Sequence, residues 1–316
     1  MTAAVEIRGV SKSFGETKAV IDLDLDVPTG SLCGFLGPNG AGKSTTIRML
    51  MSIIHADSGN VQVLGTSALK AKDRIGYLPE ERGVYRKMKV GGFVEYIGKL
   101  KGVRRSILRK RIDDWLERVE LPNIRNRRCE ELSKGMQQKV QFLAAIIHEP
   151  ELIILDEPFS GLDPVNARVI GRIIDELHQQ GRTILFSTHV LPQAEQICDR
   201  IIMIDEGKKV LDGTVSSIQS QFDPRVIRIE PVDKNCDLSK IVGATLIENT
   251  NKSDHLLMRL DDQIDATEVL RKIVLATPVR GIEIVKPTLD EVFIEQVARR
   301  RGTKAADQVR EEMSHV

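Results

Sequence analysis

A glycine-rich stretch near the N-terminus carries the residue types that bind phosphate. Residues 37–45 read GPNGAGKST, and the first eight match the pattern G-x-x-x-x-G-K-[ST] in full. Glycines let the backbone turn its N–H groups inward around an anion. Lys43 supplies a positive charge near the β- and γ-phosphates of a nucleotide, and the Ser44 hydroxyl can bind Mg²⁺. The nucleotide-binding residues predicted from this loop are Gly37, Asn39, Gly40, Ala41, Gly42, Lys43, Ser44 and Thr45.

Two later segments end in groups that could act on a bound nucleotide. Residues 152–157 read LIILDE, where Asp156 can hold Mg²⁺ through water and Glu157 can polarise an attacking water. The alternative for this pair is a strand that simply meets a polar turn. Residues 183–189 read TILFSTH and end in His189, which we predict to contact the γ-phosphate rather than to be only structural.

These residues need strands and helices in a definite order. The segment SLCGFL before the loop predicts a short buried strand, and the segment after it predicts a helix over 43–54. The start of that helix adds unpaired N–H donors and the positive end of the helix dipole. The apolar runs LIIL and TILF are typical of buried strands in a parallel sheet.

A second helix start raises a separate question. In ELSKGMQQKV, residues 131–140, Ser133 precedes a stretch of helix formers and is expected to cap a helix. The pattern leaves open whether this helix start also holds a phosphate.

Composition excludes several classes of protein. At 316 residues the chain is long enough for two domains, and its formal net charge of +1 does not favour nucleic acid or an acidic membrane surface. Aromatic residues make up only 4%, which argues against a stacking platform for single strands. The four cysteines lack metal-ligand spacing, so a reducing compartment is expected.

Membrane signals are also missing from the sequence. No apolar run approaches the roughly 18–20 residues of a membrane span, and MTAAVEIRGV lacks a signal-peptide core. We therefore expect membrane contact only through a partner.

The ordered combination of motifs resembles the ATP-binding subunit of an ABC transporter. The resemblance covers residues 4–215. It implies an α/β P-loop NTPase fold with a RecA-like core, an antiparallel β subdomain near residues 4–30 and a helical subdomain over about 86–149. The features that carry it are, in order, Phe14, GPNGAGKST (37–45), YLPEE (77–81), LSKGM (132–136), LIILDE (152–157), SGLD (160–163) and His189.

The resemblance answers the question about the second helix start. In this family two nucleotide domains pack head to tail, so Ser133 and Gly135 would face the γ-phosphate of a nucleotide held by the other subunit. The usual signature LSGGQ is LSKGM here, which changes two of its residues. Glu80 stands in the loop that usually carries a Gln, and we assign it to the metal site; a solvated acidic loop is the alternative.

Two further site residues rest on the resemblance. Phe14 would stack on adenine where the family often has Tyr, although a core position is also plausible. Asp163 would link the two nucleotide sites across the dimer. It is also expected to cap a helix before Pro164, and these roles are compatible.

The character of the sequence changes near Phe222. We predict an ATP-binding domain over 4–218, a small α+β domain, ferredoxin-like, over 222–298, and a charged disordered tail over 299–316. The segment PTLDEVFIEQ resembles the end of drug- and sodium-exporting members of the family.

The resulting prediction is a subunit that binds and hydrolyses ATP to power an ABC-2 type exporter. Glu157 would be the general base and His189 would steady the γ-phosphate, with ATP and Mg²⁺ as cofactors. The alternatives are a soluble ABC ATPase that acts on ribosomes or nucleic acid, and an ATP clamp that does not hydrolyse.

The predicted partners follow from the same resemblance. They are separate transmembrane permease subunits and a second ATP-binding subunit, identical or related, with no nucleic acid. The protein would lie in the cytoplasm on the inner face of the cell membrane. Tyr85, Met88 and Val90 are candidate permease contacts, with local core as the alternative.

Overall fold

The chain divides into two compact units, and each is described by itself. The first comprises Met1–Val215 and the second runs from Ser216 to Arg310. The computed structural model describes residues 2–81, 83–222, 226–233, 236, 238, 241–248, 255–261, 264–302 and 304.

The first unit combines two sheets with several helices. Its strands are β1 (Ala3–Phe14), β2 (Thr17–Pro28), β3 (Leu32–Leu36), β4 (Ser58–Val63), β5 (Ile75–Leu78), β6 (Leu152–Asp156), β7 (Thr183–Thr188), β8 (Arg200–Asp205) and β9 (Lys208–Thr214). Its α-helices are α1 (Lys43–Leu50), α2 (Ala68–Ala71), α3 (Val90–Leu100), α4 (Arg105–Arg118), α5 (Lys134–Ile146), α6 (Pro164–Gln179) and α7 (Leu191–Ile197).

An antiparallel sheet of order β2-β1-β4 forms the N-terminal part of the first unit. Its residues alternate as a half-buried sheet requires. In β2, Leu23, Leu25 and Val27 are buried, whereas Asp24 and Asp26 between them are exposed. The repeated Asp residues therefore keep one face of this sheet in water.

The larger sheet has the order β5-β6-β7-β3-β8-β9. Its first five strands run parallel, and β9 pairs antiparallel with β8. Every residue of β3, β6 and β7 is buried, which explains their unbroken apolar runs. Because carboxyl ends of parallel strands meet at one edge, the segments after β3, β5, β6 and β7 come together there.

The helix after the glycine loop is shorter than predicted. We expected it to continue to residue 54, but α1 ends at Leu50. Ser52 takes a left-handed conformation with φ of 53°, which stops the helical path.

The helices α3, α4 and α5 form the helical subdomain, residues 86–149. Gly98 of α3 lies against Leu108 of α4, where an added Cβ would be 2.4 Å from Cδ2 of Leu108. This close approach joins the two helices. The α5 helix is buried over residues 138–146, whereas Lys134 of the signature segment, at its start, is exposed.

The second unit is a small α+β domain. Its elements are α8 (Val215–Gln219, which begins at the last residue of the first unit), β10 (Val226–Pro231), β11 (Ala244–Glu248), β12 (Leu256–Leu260), α9 (Ala266–Ala276), β13 (Val279–Val285) and α10 (Leu289–Arg301). Its sheet has the order β11-β12-β10-β13, with neighbouring strands antiparallel, which is a ferredoxin-like arrangement. Val269 and Ile273 of α9 pack with Ile227 and Ile229 of β10 in the core of this unit.

The predicted tail over 299–316 falls only partly on described residues. Helix α10 continues through Arg301, and residues 305–316 lie outside the part of the chain that the structure describes. The stretch between β10 and β11 is likewise described only in part.

Candidate functional site

A cleft of about 270 Å³ lies at the carboxyl edge of the parallel strands. The glycine loop and the start of α1 contribute Asn39, Gly40, Gly42, Lys43, Ser44 and Thr45. Carboxylates enter the cleft from Glu80, Asp156 and Glu157. The start of β2 adds Thr17, Lys18 and Ala19, which the sequence analysis did not assign to the site.

The glycines of the loop are required by its shape. Gly40 and Gly42 have φ of 78° and 101°, and Gly37 has φ of 154°, values that side-chain-bearing residues rarely adopt. An added Cβ on Gly42 would lie 2.4 Å from the carbonyl oxygen of Ala19, and one on Gly37 would lie 2.2 Å from that of Ile204. The loop therefore packs closely on the sheet, and α1 begins with its unpaired N–H groups at the cleft.

Lys43 is held inside the loop. Its ammonium donates to the carbonyl oxygens of Gly37 at 2.6 Å and Pro38 at 3.1 Å, and the residue is only 7% exposed. Burial lowers the pKa of Lys43, while the negative charges of Glu157 and Asp156 act in the opposite direction. The cleft thus places this buried cation beside several carboxylates.

Asp156 ends β6 as a buried acid. Its partner across the sheet is Ser187 of β7, whose hydroxyl donates to Oδ1 of Asp156. Burial raises the pKa of Asp156, and the negative charges of Glu80 and Glu157 raise it further. Concentrated carboxylate oxygens suit a hard divalent cation, which would offset this mutual repulsion, so the donor set fits Mg²⁺.

Glu157 is fixed by the residues that follow β7. Its Oε1 accepts from the backbone N–H of His189 at 3.0 Å and lies 2.6 Å from the imidazole Nδ1 of His189. Its Oε2 accepts from the Thr188 hydroxyl at 3.1 Å. Glu157 also has φ of 48°, a left-handed conformation that is uncommon for this residue type. The structure therefore brings the two predicted catalytic residues into direct contact.

The signature residues lie elsewhere on the same chain. Ser133 caps α5 by accepting from the Met136 N–H at 3.3 Å, as the sequence predicts. Gly135 faces α6, where an added Cβ would lie 3.5 Å from side-chain atoms of Leu162 and of Asn166. Neither Ser133 nor Gly135 is among the residues that line the cleft.

Asp163 and Phe14 also lie outside the cleft lining. Asp163 caps α6 by accepting from the N–H groups of Val165 and Asn166, each at 3.0 Å, and these bonds lower the pKa of its carboxyl. Phe14 is 52% exposed, so its interpretation as a core residue is wrong. It pairs across the hairpin with Thr17, which does line the cleft.

One predicted surface contact is contradicted by its burial. Val90 is fully buried and cannot contact a permease, so the local-core alternative is correct for this residue. Tyr85 is 53% exposed, and Met88 is partly buried.

Sequence reasoning missed several polar residues that support the site. Gln138 on α5 is buried and donates to the carbonyl oxygen of Pro158, next to Glu157, at 3.2 Å. Gln141, one turn later, donates to the Glu81 carbonyl oxygen at 3.2 Å and so ties down the segment after Glu80. Two Gln residues three apart beside an apolar helix face were the available signal.

Comparison with known proteins assigns the family. A family model described as "ABC transporter" matches residues 20–160, and one described as "ATP-binding protein DrrA1-3-like, C-terminal domain" matches residues 213–297. The ABC transporter ATP-binding protein YhaQ of Bacillus subtilis is 37% identical over 289 residues, which cover 91% of this chain and 96% of that protein. The chain belongs to the ABC transporter ATP-binding proteins.

Further relatives agree with this assignment. The daunorubicin/doxorubicin resistance ATP-binding protein DrrA of Streptomyces peucetius is 31% identical over 321 residues, covering 98% of this chain and 97% of DrrA. A solved structure of an ATP-binding subunit of an ABC transporter matches with a TM-score of 0.65 and 28% identity, over 70% of this chain and 93% of that one.

These findings confirm the predicted family, the fold class and the ATP-binding, ATP-hydrolysing function of this ABC protein. They give no support to an ATPase that acts on ribosomes or nucleic acid, nor to a clamp that does not hydrolyse. Within the described residues, no helix combines the length and apolar composition needed to span a bilayer.

Proposed function

We propose that this ATPase works as a dimer in which each nucleotide is bound between two subunits. The observation that carries the proposal is the separation of Ser133 and Gly135 from the cleft that holds Lys43 and Glu157. Ser133 and Gly135 sit at the start of α5, which offers N–H donors and a positive dipole end to an anion from another chain. The second subunit is an identical chain or a related one.

Within each cleft the glycine loop would hold the phosphates. Backbone N–H groups from Asn39 to Thr45, with the ammonium of Lys43, would bind the anionic oxygens. Lys43 would exchange its bonds to the carbonyl oxygens of Gly37 and Pro38 for bonds to phosphate. Exchanging neutral acceptors for charged ones strengthens the hydrogen bonds of a buried ammonium.

The metal site would be formed by oxygen ligands. Ser44, Asp156 and Glu80 line the same cleft and are the proposed residues around Mg²⁺, which would neutralise phosphate charge when bound. Burial raises the pKa of Asp156, and the negative charges of Glu80 and Glu157 raise it further; a divalent cation would offset that repulsion, which supports this assignment.

Glu157 is the proposed general base and His189 the proposed γ-phosphate contact. Glu157 lies at the cleft with its carboxylate already oriented by Thr188 and His189. Its Oε2 accepts one hydrogen bond, from the Thr188 hydroxyl, and a carboxylate oxygen has a second lone pair that would take a proton from water. Asp163, at the exposed start of α6, would then link the two sites across the dimer.

Adenine would stack on Phe14. The Phe14 side chain is half exposed, and Nζ of Lys12 lies 5.5 Å from the centroid of the Phe14 ring. The hairpin that carries Phe14 also supplies Thr17 to the cleft lining, which supports a base position beside it.

The transport role follows from the relatives. We assign the chain to exporters because it matches a drug-resistance protein along 98% of its length and has a DrrA-like C-terminal domain. It would lie in the cytoplasm on the inner face of the cell membrane, attached to separate permease subunits. Tyr85, with its exposed ring packed edge-on against Phe93 and Tyr96, is the proposed permease contact.

The decisive experiment measures ATP turnover per molecule as the purified full chain is diluted. We expect the specific rate to fall as dimers dissociate, in parallel with the dimer fraction measured by light scattering. A specific rate that stays constant in a monomeric solution would overturn the shared site. Copurification with one or two multi-span membrane proteins would test the transport role separately.

A further inference from the structure

The helical subdomain carries a positive charge that the composition of the whole chain conceals. Residues 86–149 contain 16 Lys and Arg residues against 8 Asp and Glu residues, a formal charge of +8. The entire chain is only +1, so the rest is acidic by 7 charges. An asymmetry of this size indicates a surface that attracts anions.

A pocket of about 480 Å³ lies within this basic surface. Arg105, Ser106 and Arg109 line it from α4, Arg125 from the segment after α4, and Glu95 from α3. Three guanidinium groups and a hydroxyl therefore surround one cavity. Guanidinium groups bind phosphate oxygens through paired hydrogen bonds, which gives the pocket a chemical class of ligand.

Arg125 is fixed by contacts on both sides of its chain. Its guanidinium donates to the carbonyl oxygen of Arg109 at 3.0 Å and pairs with Asp113 at 2.5 Å. Its stem packs on Gly91, where an added Cβ would lie 2.6 Å from Cγ of Arg125. A guanidinium that is already ordered loses little entropy when an anion arrives.

The acidic residue in the lining does not cancel the pocket's charge. Glu95 pairs with Lys99 at 2.7 Å and with Arg105 at 3.1 Å. The bond to Lys99 lowers the pKa of Glu95, which keeps it ionised and paired. Arg109 has no ion pair among the described residues and remains available to a ligand.

Exposed apolar side chains on the same two helices favour a lipid over a soluble phosphate. Tyr96 and Leu100 of α3 are 42% and 61% exposed, and Ile107 of α4 is 38% exposed. Tyrosine and aliphatic side chains beside basic residues are typical of surfaces that sit at the level of lipid headgroups.

We propose that this pocket binds the phosphate of an anionic phospholipid headgroup, so that the ATPase contacts the membrane surface directly. The contact goes beyond the proposed function, because it requires neither the shared ATP site nor the permease. It also revises the expectation that membrane contact occurs only through a partner.

The test is cosedimentation of the purified full chain with vesicles. We expect binding to vesicles of phosphatidylcholine with phosphatidylglycerol, no binding to phosphatidylcholine alone, and release by salt. Arg109→Gln should weaken binding by more than about tenfold, because it removes a forked donor from the pocket. The matched control Lys110→Gln changes the same charge on the next residue, outside the lining, and should cost no more than about fivefold.

Several outcomes would overturn the proposal. Equal losses in Arg109→Gln and Lys110→Gln would show attraction by charge alone. Equal binding to both kinds of vesicle, binding to neither, or binding of inorganic phosphate without vesicles would each exclude a lipid headgroup. Circular dichroism checks that the variants fold, and Tyr96→Ala provides a second variant that should weaken binding to the phosphatidylglycerol vesicles several-fold.

Discussion

The imidazole Nδ1 of His189 lies 2.6 Å from Oε1 of Glu157, which also accepts the backbone N–H of His189 at 3.0 Å. The hydroxyl of Thr188 donates a hydrogen bond to the other carboxylate oxygen of Glu157. The proposed base is therefore held by the segment that also carries the proposed γ-phosphate contact. A nucleotide that moved His189 would remove both of these contacts from Oε1 of Glu157 and leave that oxygen open to water.

Glu157→Gln should separate nucleotide binding from hydrolysis. The amide can still accept the N–H of His189 but cannot take a proton from water, so turnover should fall by at least about 100-fold. ATP should remain bound, and the closed dimer should accumulate. Phosphate release and size-exclusion chromatography with light scattering would measure both effects.

The matched control for that variant is Glu81→Gln. Glu81 is exposed, and it offers its backbone carbonyl oxygen, not its side chain, to Gln141. ATP turnover by the Glu81→Gln variant should stay close to that of the unmodified chain. Wild-type turnover in Glu157→Gln would remove Glu157 from the role of general base.

Mixing two inactive variants should restore activity. Lys43→Ala removes the ammonium of the loop, and Ser133→Arg places a bulky cation at the start of α5, so each variant alone should lose ATP hydrolysis. A mixed dimer contains one intact site, built from the loop of one chain and the α5 start of the other. Turnover of the equimolar mixture should exceed the sum of the separate rates.

The same mixture would expose a wrong arrangement. If each chain completed its own site, every subunit in the mixture would remain defective and the rates would simply add. A Ser133→Arg variant with full activity by itself would also contradict the shared site. A Ser133→Ala variant serves as the mild control, since it removes only the hydroxyl that caps α5.

Local patterns in the sequence were sufficient for the elements that carry chemistry. The glycine loop and the apolar runs of β6 and β7 are each formed by consecutive residues, so a local pattern predicts them. Asp156, Glu157 and His189 lie at or just after the ends of those two strands, which places them at the same edge of the sheet. The sheet order then brings them together, because parallel strands share a carboxyl edge.

Contacts between distant residues could not be predicted in this way. The bond from Ser187 to Asp156 and those from α5 to residues 81 and 158 depend on strand register and helix orientation. The early end of α1 depends on the left-handed conformation of Ser52, and no Gly or Pro next to Ser52 indicates a helix end there. Val90 failed as a surface residue because helix periodicity alone does not say which face packs inward.

Two glycines of α3 should respond oppositely to alanine. An added Cβ on Gly98 would lie 2.4 Å from Cδ2 of the fully buried Leu108, so Gly98→Ala should lower the free energy of unfolding by about 1–3 kcal/mol. Gly92 has no heavy atom within 4 Å of an added Cβ, so Gly92→Ala should raise it by about 0.5–1 kcal/mol.

Urea denaturation followed by Trp115 fluorescence would measure these changes. Trp115 is the single tryptophan of the chain and lies on α4, which packs against α3. Equal effects of the two substitutions would show that the close packing of Gly98 on Leu108 is absent in solution.

His148 should make the stability of the first unit depend on pH between about 6.5 and 4. Its Nε2 lies 3.1 Å from the carbonyl oxygen of Ile75, and its Nδ1 is buried without a hydrogen-bond partner. Burial, reinforced by the nearby ammonium of Lys101, lowers the pKa of His148 to about 4. In the unfolded chain the ordinary pKa of a histidine is about 6.5, so between these two pKa values the unfolded state binds a proton that the folded state does not bind.

Stability therefore falls as the pH decreases from about 6.5 to about 4, and the contribution of His148 becomes flat below the folded pKa. The loss should be on the order of 2 kcal/mol, after discounting for the partial exposure of the ring. His148→Gln keeps a donor for Ile75 but cannot titrate, so its free energy of unfolding should fall less over the same interval. Urea titrations followed by Trp115 fluorescence would measure the free energy of unfolding of the unmodified protein and of His148→Gln. Measurements at roughly pH 7, 5.5 and 4.5 would compare how it changes with pH in the two proteins. If the free energy of unfolding changed equally with pH in both proteins, His148 would be solvated in the folded chain, and the burial of its Nδ1 would not lower its pKa.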